Sequence, residues 1–126
     1  MDWNLLSEED CAVSIQVTTR QVGDVSVVDV VGRITLGEGA SALRETIRGL
    51  VAKDHKKVIL NLGEVSYIDS SGIGELVSGF TTVTNHGGVL KLLGLTKRVQ
   101  DLLQITKLYT VFDIYDSETS AVRSFS

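Results

Sequence analysis

Residues 58–74 have the sequence VILNLGEVSYIDSSGIG, and this stretch decides the fold. It begins with a nearly continuous apolar run, Val58 to Leu62, which is typical of a central strand covered on both faces. After a predicted loop from Glu64 to Gly72, apolar residues recur at helical spacing, at Ile73, Leu76, Val77, Phe80 and Val83. The stretch therefore predicts a buried strand that leads through a serine-bearing loop into an amphipathic helix.

The residues before this stretch predict a hairpin. Apolar and polar residues alternate over residues 13–17, and a valine-rich run covers residues 25–31. Gly23 lies in the predicted turn between the two strands, and Gly32 is predicted to end the second strand. A loop marked by glycines 37 and 39 follows, and then a helical pattern continues to about Lys53.

The residues after it continue the alternation of strands and helices. Gly87-Gly88 is predicted to stop the helix, and residues 89–93 form the next strand. Thr96 is predicted to cap a third helix, and residues 111–115 form a last short strand. Ser117 is predicted to cap a terminal helix.

The predicted order is therefore β-β-α-β-α-β-α-β-α in an α/β fold. Because helical crossovers join parallel strands, we expect a mixed sheet with an N-terminal antiparallel hairpin and parallel strands, covered by about four helices. Residues 1–126 are expected to form a single domain, with residues 1–11 as a loose N-terminal arm whose Trp3, Leu5 and Leu6 could dock on it.

Composition excludes several classes of function. Hydrophobic residues make up 43% and charged residues 22% of the chain, as in a soluble globular protein, and the net charge is −4. Nucleic acids and anionic membranes need clustered cations, but the one basic cluster, residues 53–57, is interrupted by Asp54. The start of the chain does not resemble a signal peptide, and no apolar run approaches a membrane span. With Cys11 as the single cysteine, we expect a cytoplasmic protein without membrane insertion.

Catalytic and metal chemistry are not predicted. His55, His86 and Cys11 fall in unrelated elements, so no metal site is expected, and neither a phosphate loop nor a site for another cofactor is present. A serine hydrolase would need Gly-x-Ser-x-Gly with a histidine in reach, but the glycine before Ser70 is missing. His86 lies at the far end of the predicted helix, more than about 20 Å away at 1.5 Å per residue. The chain is not expected to be an enzyme.

The predicted loop is the remaining candidate site. It lies beyond the carboxyl end of a central strand, where sites gather in open α/β sheets. A hydroxyl at a helix N-terminus meets unpaired N–H groups, but Asp69 or Ser70 could equally be a simple N-cap. The residues alone leave both possibilities open.

Residues 58–74 resemble the hallmark of the STAS domain family, an apolar strand followed by Asp69-Ser70-Ser71-Gly72-Ile73-Gly74. The resemblance covers about residues 13–125 and is strongest to the stand-alone bacterial anti-sigma factor antagonists. It implies partner switching. The unphosphorylated protein binds an anti-sigma factor that is also a serine kinase, phosphorylation releases it, and a serine phosphatase resets it.

Ser70, the first serine after the aspartate, is the phosphorylation site that the resemblance implies, with Ser71 as second choice. Helical spacing alone favours Ser71, because extending the apolar stripe backwards puts Ser71 on the solvent face, unless Ser70 is the cap. Many family members have an aspartate where this chain has Thr35, and Glu38 could replace it. The predicted partner-binding residues are Thr35, Glu38, Asp69, Ser70, Ser71, Gly72, Ile73 and Gly74.

An alternative function is a STAS scaffold or ligand-sensing module in a stress-signalling assembly or a transporter, without sigma-factor control. For either function we expect a monomer or weak dimer.

Overall fold

The computed structural model describes residues 15–35 and 37–125, which form one five-stranded sheet with helices on both faces. The strands are β1 (Ile15–Val22), β2 (Val25–Ile34), β3 (Lys57–Ile68), β4 (Val89–Leu93) and β5 (Asp113–Tyr115). The helices are α1 (Glu38–Ala52), α2 (Ser70–Asn85), α3 (Lys97–Ile105) and α4 (Glu118–Arg123), with a 3₁₀ turn at Leu108–Thr110.

The sheet topology confirms the predicted α/β fold. The spatial order is β1-β2-β3-β4-β5; β1 pairs antiparallel with β2, and the other three pairs are parallel. The four helices and the order of elements also agree with the prediction. Val13 and the N-terminal arm of residues 1–11 lie outside the described residues. None of the helices in the described part of the chain combines the length and apolar character needed to span a bilayer.

The main core lies between one face of the sheet and the helices α1, α2 and α3. Alternate residues of β3 point into it, and Leu60 and Leu62 are fully buried there. The opposite face carries a smaller cluster under α4, formed by Val25, Val27, Ile59, Leu93 and Ala121. Because each fully buried aliphatic side chain contributes about 1.5–3 kcal/mol, burial on both faces makes β3 the centre of the fold.

Polar contacts fasten α4 to the second face. Arg20 of β1 donates from Nε to Asp29 Oδ2 at 2.6 Å and also pairs with Glu118 of α4. Lys91 of β4 is 7% exposed and donates from Nζ to Ser124 Oγ at 2.7 Å. These contacts span from β1 to β4, so the short terminal helix is held at both sides.

Several predicted boundaries were wrong, among them the start of helix α1, which begins at Glu38 and so includes Gly39. Gly32 does not end β2, because the strand continues to Ile34. Gly32 lies inside the strand with φ 111°. The loop predicted from Glu64 to Gly72 is absent, since β3 continues to Ile68 and helix α2 begins at Ser70. Register shifts in the β2–β3 ladder absorb the extra residues of β3, so its polar second half still pairs with β2. Pattern alone could not show this pairing.

The last strand is also shorter than predicted. It covers Asp113–Tyr115 and not residues 111–115, because the 3₁₀ turn at Leu108–Thr110 precedes it and Phe112 enters the core. Phe112 packs edge to face against Phe80 of α2, with ring centroids 5.4 Å apart. Packing of this side chain therefore takes precedence over strand pairing here.

Candidate partner-binding site

Asp69 is the single residue that joins the end of β3 to helix α2. Its side chain is the N-cap, because Oδ1 accepts a hydrogen bond from Gly72 N at 2.9 Å. Its own N–H donates to Ile34 O at the end of β2 at 3.3 Å, and its carbonyl accepts from Ile73 N at 3.0 Å. Asp69 therefore fixes where the helix starts and ties that start to the neighbouring strand.

Ser70 occupies the first position of helix α2 and is exposed, whereas Ser71 is only partly exposed. This corrects the expectation from helical spacing that Ser71 faces solvent, because Ser70 is the first residue of the helix and no preceding helical turn covers it. The N-terminal N–H groups and the positive end of the helix dipole lie next to Ser70, an environment that favours an anion. Phosphorylation of Ser70 stays a prediction.

Gly72 and Ile73 take part in internal packing. A Cβ atom on Gly72 would lie 2.2 Å from Ile34 O and 2.5 Å from Ile68 Cγ1, so no larger residue fits without a shift of the helix. Ile73 is 6% exposed and belongs to the main core. Close packing within the protein therefore accounts for the absence of a side chain at Gly72.

Gly74 has the opposite environment. It is exposed, and a Cβ atom there would meet nothing within 4 Å. Gly74 and Ser70 lie four residues apart on α2, so they share one side of the helix. Together they leave a small, open surface at the start of the helix.

Thr35 lies beside this surface, since Ile34 and Ile68 are register partners at the ends of β2 and β3. Thr35 is partly exposed, and its carbonyl accepts from Ala40 N at 3.0 Å, which connects it to the first turn of α1. The backbone of Glu38 begins α1 at the same end of the sheet, and its side chain lies outside the described part of the chain. The predicted residues therefore converge on one edge of the domain.

An ion pair that the sequence does not indicate lies beside this edge. Arg44 Nη2 of α1 lies 3.0 Å from Glu75 Oε2 of α2, and Glu75 is 17% exposed. The hydrogen bonds that Arg44 donates to Glu75 raise the pKa of Arg44. The pair links the two helices that frame the site. Nothing local in the sequence indicates it, because the two residues belong to different helices.

Neither histidine lies near Ser70. His55 Nδ1 is 3.1 Å from Ser26 Oγ, near the start of β2 and therefore at the opposite end of the sheet. His86 is the C-cap of α2, fifteen or more residues along the helix from Ser70. The geometry therefore gives Ser70 no histidine that could serve as a general base.

Comparisons with known proteins agree with this fold. A model of the STAS domain matches residues 16–121. The anti-sigma-B factor antagonist of Bacillus subtilis (strain 168) is 35% identical over 81% of this chain and 92% of that protein. The residues matched by the family model include almost all of the hairpin, the central strands and the Asp69–Gly74 region.

Solved structures show the same architecture. An anti-sigma factor antagonist from Mycobacterium paratuberculosis superposes with a TM-score of 0.77, at 22% identity, over 88% of this chain and 93% of that chain. The phosphorylated form of SpoIIAA, the Bacillus cell fate determinant, has a TM-score of 0.71 at 18% identity, over 88% of this chain and 100% of that chain. At these identities the likeness shows the fold alone.

The match to the antagonist of Bacillus subtilis also bears on catalysis. Anti-sigma factor antagonists are non-enzymatic regulators, which agrees with the prediction that this chain is not an enzyme. The mixed sheet, the strand-to-helix connection at Asp69 and the two sequence matches all lead to one assignment: the chain belongs to the STAS domain family, among the anti-sigma factor antagonists.

Proposed function

We propose that this protein frees a sigma factor by binding an anti-sigma factor through the surface around Ser70, and that phosphorylation of Ser70 by a serine kinase ends the binding. A serine phosphatase would restore the active form, and the exchange would take place in the cytoplasm. The observation that carries the proposal is the position of Ser70, exposed at the first residue of α2 next to the Asp69 cap.

A phosphate on Ser70 is compatible with the fold. It adds about −1.5 to −2 charges at neutral pH. The helix dipole stabilises this negative charge by roughly 0.3–1 kcal/mol, and repulsion from the Asp69 carboxylate cancels part of that stabilisation. Both effects are small beside the 5–15 kcal/mol that holds a typical domain together. Modification should therefore leave the domain folded.

The same phosphate should weaken an interface strongly. At a protein–protein contact the added charge must be desolvated, and without a cationic partner this costs several kcal/mol. Since about 1.4 kcal/mol corresponds to a tenfold change in affinity, loss of binding without unfolding is the expected outcome. Gly74 supports close approach of a partner, because its open side carries no side chain that a partner would have to displace.

The test begins with capture from the native cell lysate, using wild type and Ser70→Asp as bait. Wild type should retain an ATPase-type serine kinase, and Ser70→Asp should not. A transporter subunit in the eluate would instead support the scaffold function. The affinity of the purified partner is then measured for wild type, Ser70→Asp and Ser70→Ala, with Ser71→Asp and Ser71→Ala as matched controls.

We expect Ser70→Asp to lose at least about tenfold in affinity while its melting temperature shifts by only a few degrees. Ser70→Ala should bind like wild type and resist the kinase. If the kinase labels Ser70→Ala to wild-type stoichiometry, the acceptor is another residue. A large drop in melting temperature together with lost binding in Ser70→Asp would mean that the substitution simply unfolds the domain.

A further inference from the structure

An exposed patch lies on the second face of the sheet, beyond the part that α4 covers. Alternation along β2 places Val28, Val30 and Ile34 in the main core, so Val31 and Arg33 point to the opposite face. The cluster under α4 includes Val25 and Val27 of this strand but not Val31, which is 41% exposed. This end of the second face is therefore open among the described residues.

Two arginines lie near Tyr67 at this end of the sheet, one on the neighbouring strand and one on helix α3. Arg33 of β2 and Tyr67 of β3 are register partners, and Arg98 of α3 places its guanidinium carbon 4.4 Å from the centre of the Tyr67 ring. We call Val31, Arg33, Tyr67 and Arg98 the arginine patch.

The two arginines of the arginine patch form no ion pair within the described part of the chain, although Glu64 is the register partner of Val31. Arg20 and Arg44 each pair with a carboxylate there, whereas neither Arg33 nor Arg98 has one within 4.0 Å. The patch thus combines two cations with an exposed valine and a partly exposed tyrosine. Its complement would be a segment that carries both carboxylates and large apolar side chains.

Residues 1–14, MDWNLLSEEDCAVS, have this composition. They contain the acidic residues Asp2, Glu8, Glu9 and Asp10, with no lysine or arginine. Since the whole chain has 16 acidic and 12 basic residues, the remainder is balanced at 12 of each, and this segment carries the entire net charge of −4. Its apolar residues Trp3, Leu5 and Leu6 lie on the amino-terminal side of Glu8.

The chain enters the domain beside the patch. Ile15, the first described residue, is the register partner of Gly32, which lies between Val31 and Arg33. At about 3.3 Å per extended residue, Asp10 can reach roughly 16 Å and Trp3 roughly 40 Å from Ile15. A short tether also raises the effective concentration of a segment to the millimolar range.

We propose that residues 1–14 bind the arginine patch of their own chain, with the carboxylates of Glu8, Glu9 and Asp10 against Arg33 and Arg98 and the apolar side chains of residues 3–6 over Val31 and Tyr67. The contact borders the partner-binding site, because Tyr67 precedes Asp69 by two residues. It does not depend on the proposed function, since it requires neither phosphorylation nor a partner.

Trp3 makes the proposal measurable, because it is the single tryptophan of the chain. Tryptophan fluorescence from the chain of residues 1–126 therefore reports on this segment alone. The emission maximum and acrylamide quenching are measured for wild type and for the double variant Arg33→Glu/Arg98→Glu. Lys53→Glu is the matched control, because Lys53 is an exposed cation at the C-cap of α1, at the opposite end of the sheet. N-acetyltryptophanamide gives the value for a fully accessible indole.

In wild type and Lys53→Glu we expect a blue-shifted, shielded Trp3, and in the double variant we expect quenching that approaches N-acetyltryptophanamide. Added salt should reduce the shielding in wild type. Circular dichroism checks folding, and Arg33→Gln/Arg98→Gln replaces the double variant if charge reversal unfolds it. Full accessibility of Trp3 in wild type would overturn the proposal, as would shielding that survives both double variants. Shielding that requires high protein concentration would also overturn it, in favour of a contact with a second copy.

Discussion

Substituting Gly72 by alanine tests whether helix α2 is held against the ends of β2 and β3 by direct backbone contact. The new Cβ atom would lie 2.2 Å from Ile34 O, 2.5 Å from Ile68 Cγ1 and 2.9 Å from Ile34 Cγ2. Ordinary contacts begin near 3.5 Å, so the helix start would have to move by about 1 Å. The nearest atom is a backbone oxygen, which cannot rotate away as a flexible side chain would.

The cost can be worked out from the contacts that such a movement breaks. Overpacking a tight contact costs about 1–3 kcal/mol, and weakening the hydrogen bond from Asp69 N to Ile34 O adds about 1 kcal/mol. Alanine regains up to about 1 kcal/mol of helix propensity over glycine. We therefore expect the free energy of unfolding to fall by about 1–3 kcal/mol, which corresponds to roughly 3–12 °C in melting temperature for a domain of this size.

Gly74→Ala is the matched control, two residues further along the same helix. A Cβ atom at this position meets nothing within 4 Å, so only the propensity term remains and stability should rise by up to about 1 kcal/mol. Both variants are measured by urea and thermal unfolding. Equal melting temperatures for the two variants would refute the steric argument, and a stabilised Gly72→Ala would show that the helix start is free to move.

Two further perturbations test polar contacts. Asp69→Ala should lower the free energy of unfolding by about 0.5–2 kcal/mol, because the cap on Gly72 N is lost. Asp69→Asn should retain most of the stability that the cap provides. Both variants are measured by urea unfolding, and equal losses would contradict the capping role. Hydrogen bonds from Arg20 lower the pKa of Asp29 and of Glu118. The contribution of these ion pairs to the free energy of unfolding is therefore complete above the ordinary carboxylate pKa of about 4. It disappears as the pH falls through the lowered pKa values. Arg20→Gln should therefore lower the free energy of unfolding by up to about 1 kcal/mol at pH 7, and by less as the pH falls below about 4. A stability difference from wild type that does not depend on pH would contradict this assignment.

Local features of the sequence were enough to predict the order and type of the secondary-structure elements. Thr96 and Ser117 cap their helices as predicted, accepting hydrogen bonds from Val99 N and Ser120 N, because capping involves residues only three positions apart. Apolar periodicity likewise predicted the hairpin, the central strand and the helical stripes, since it reports directly on which side of an element is buried. The Asp69–Gly74 motif, together with the apolar strand before it and the helical stripe after it, pointed to the family.

Tertiary structure decided what depends on neighbours distant in sequence. Pairing with β2 extends β3 to Ile68, and this removes the predicted loop and makes Asp69 the cap. Ser70 is consequently the exposed serine, whereas helical spacing alone had predicted that Ser71 faces solvent. The role of Gly72 likewise depends on Ile34, a residue of another strand. Such contacts arise only when strands and helices pack, so no local pattern of the sequence encodes them.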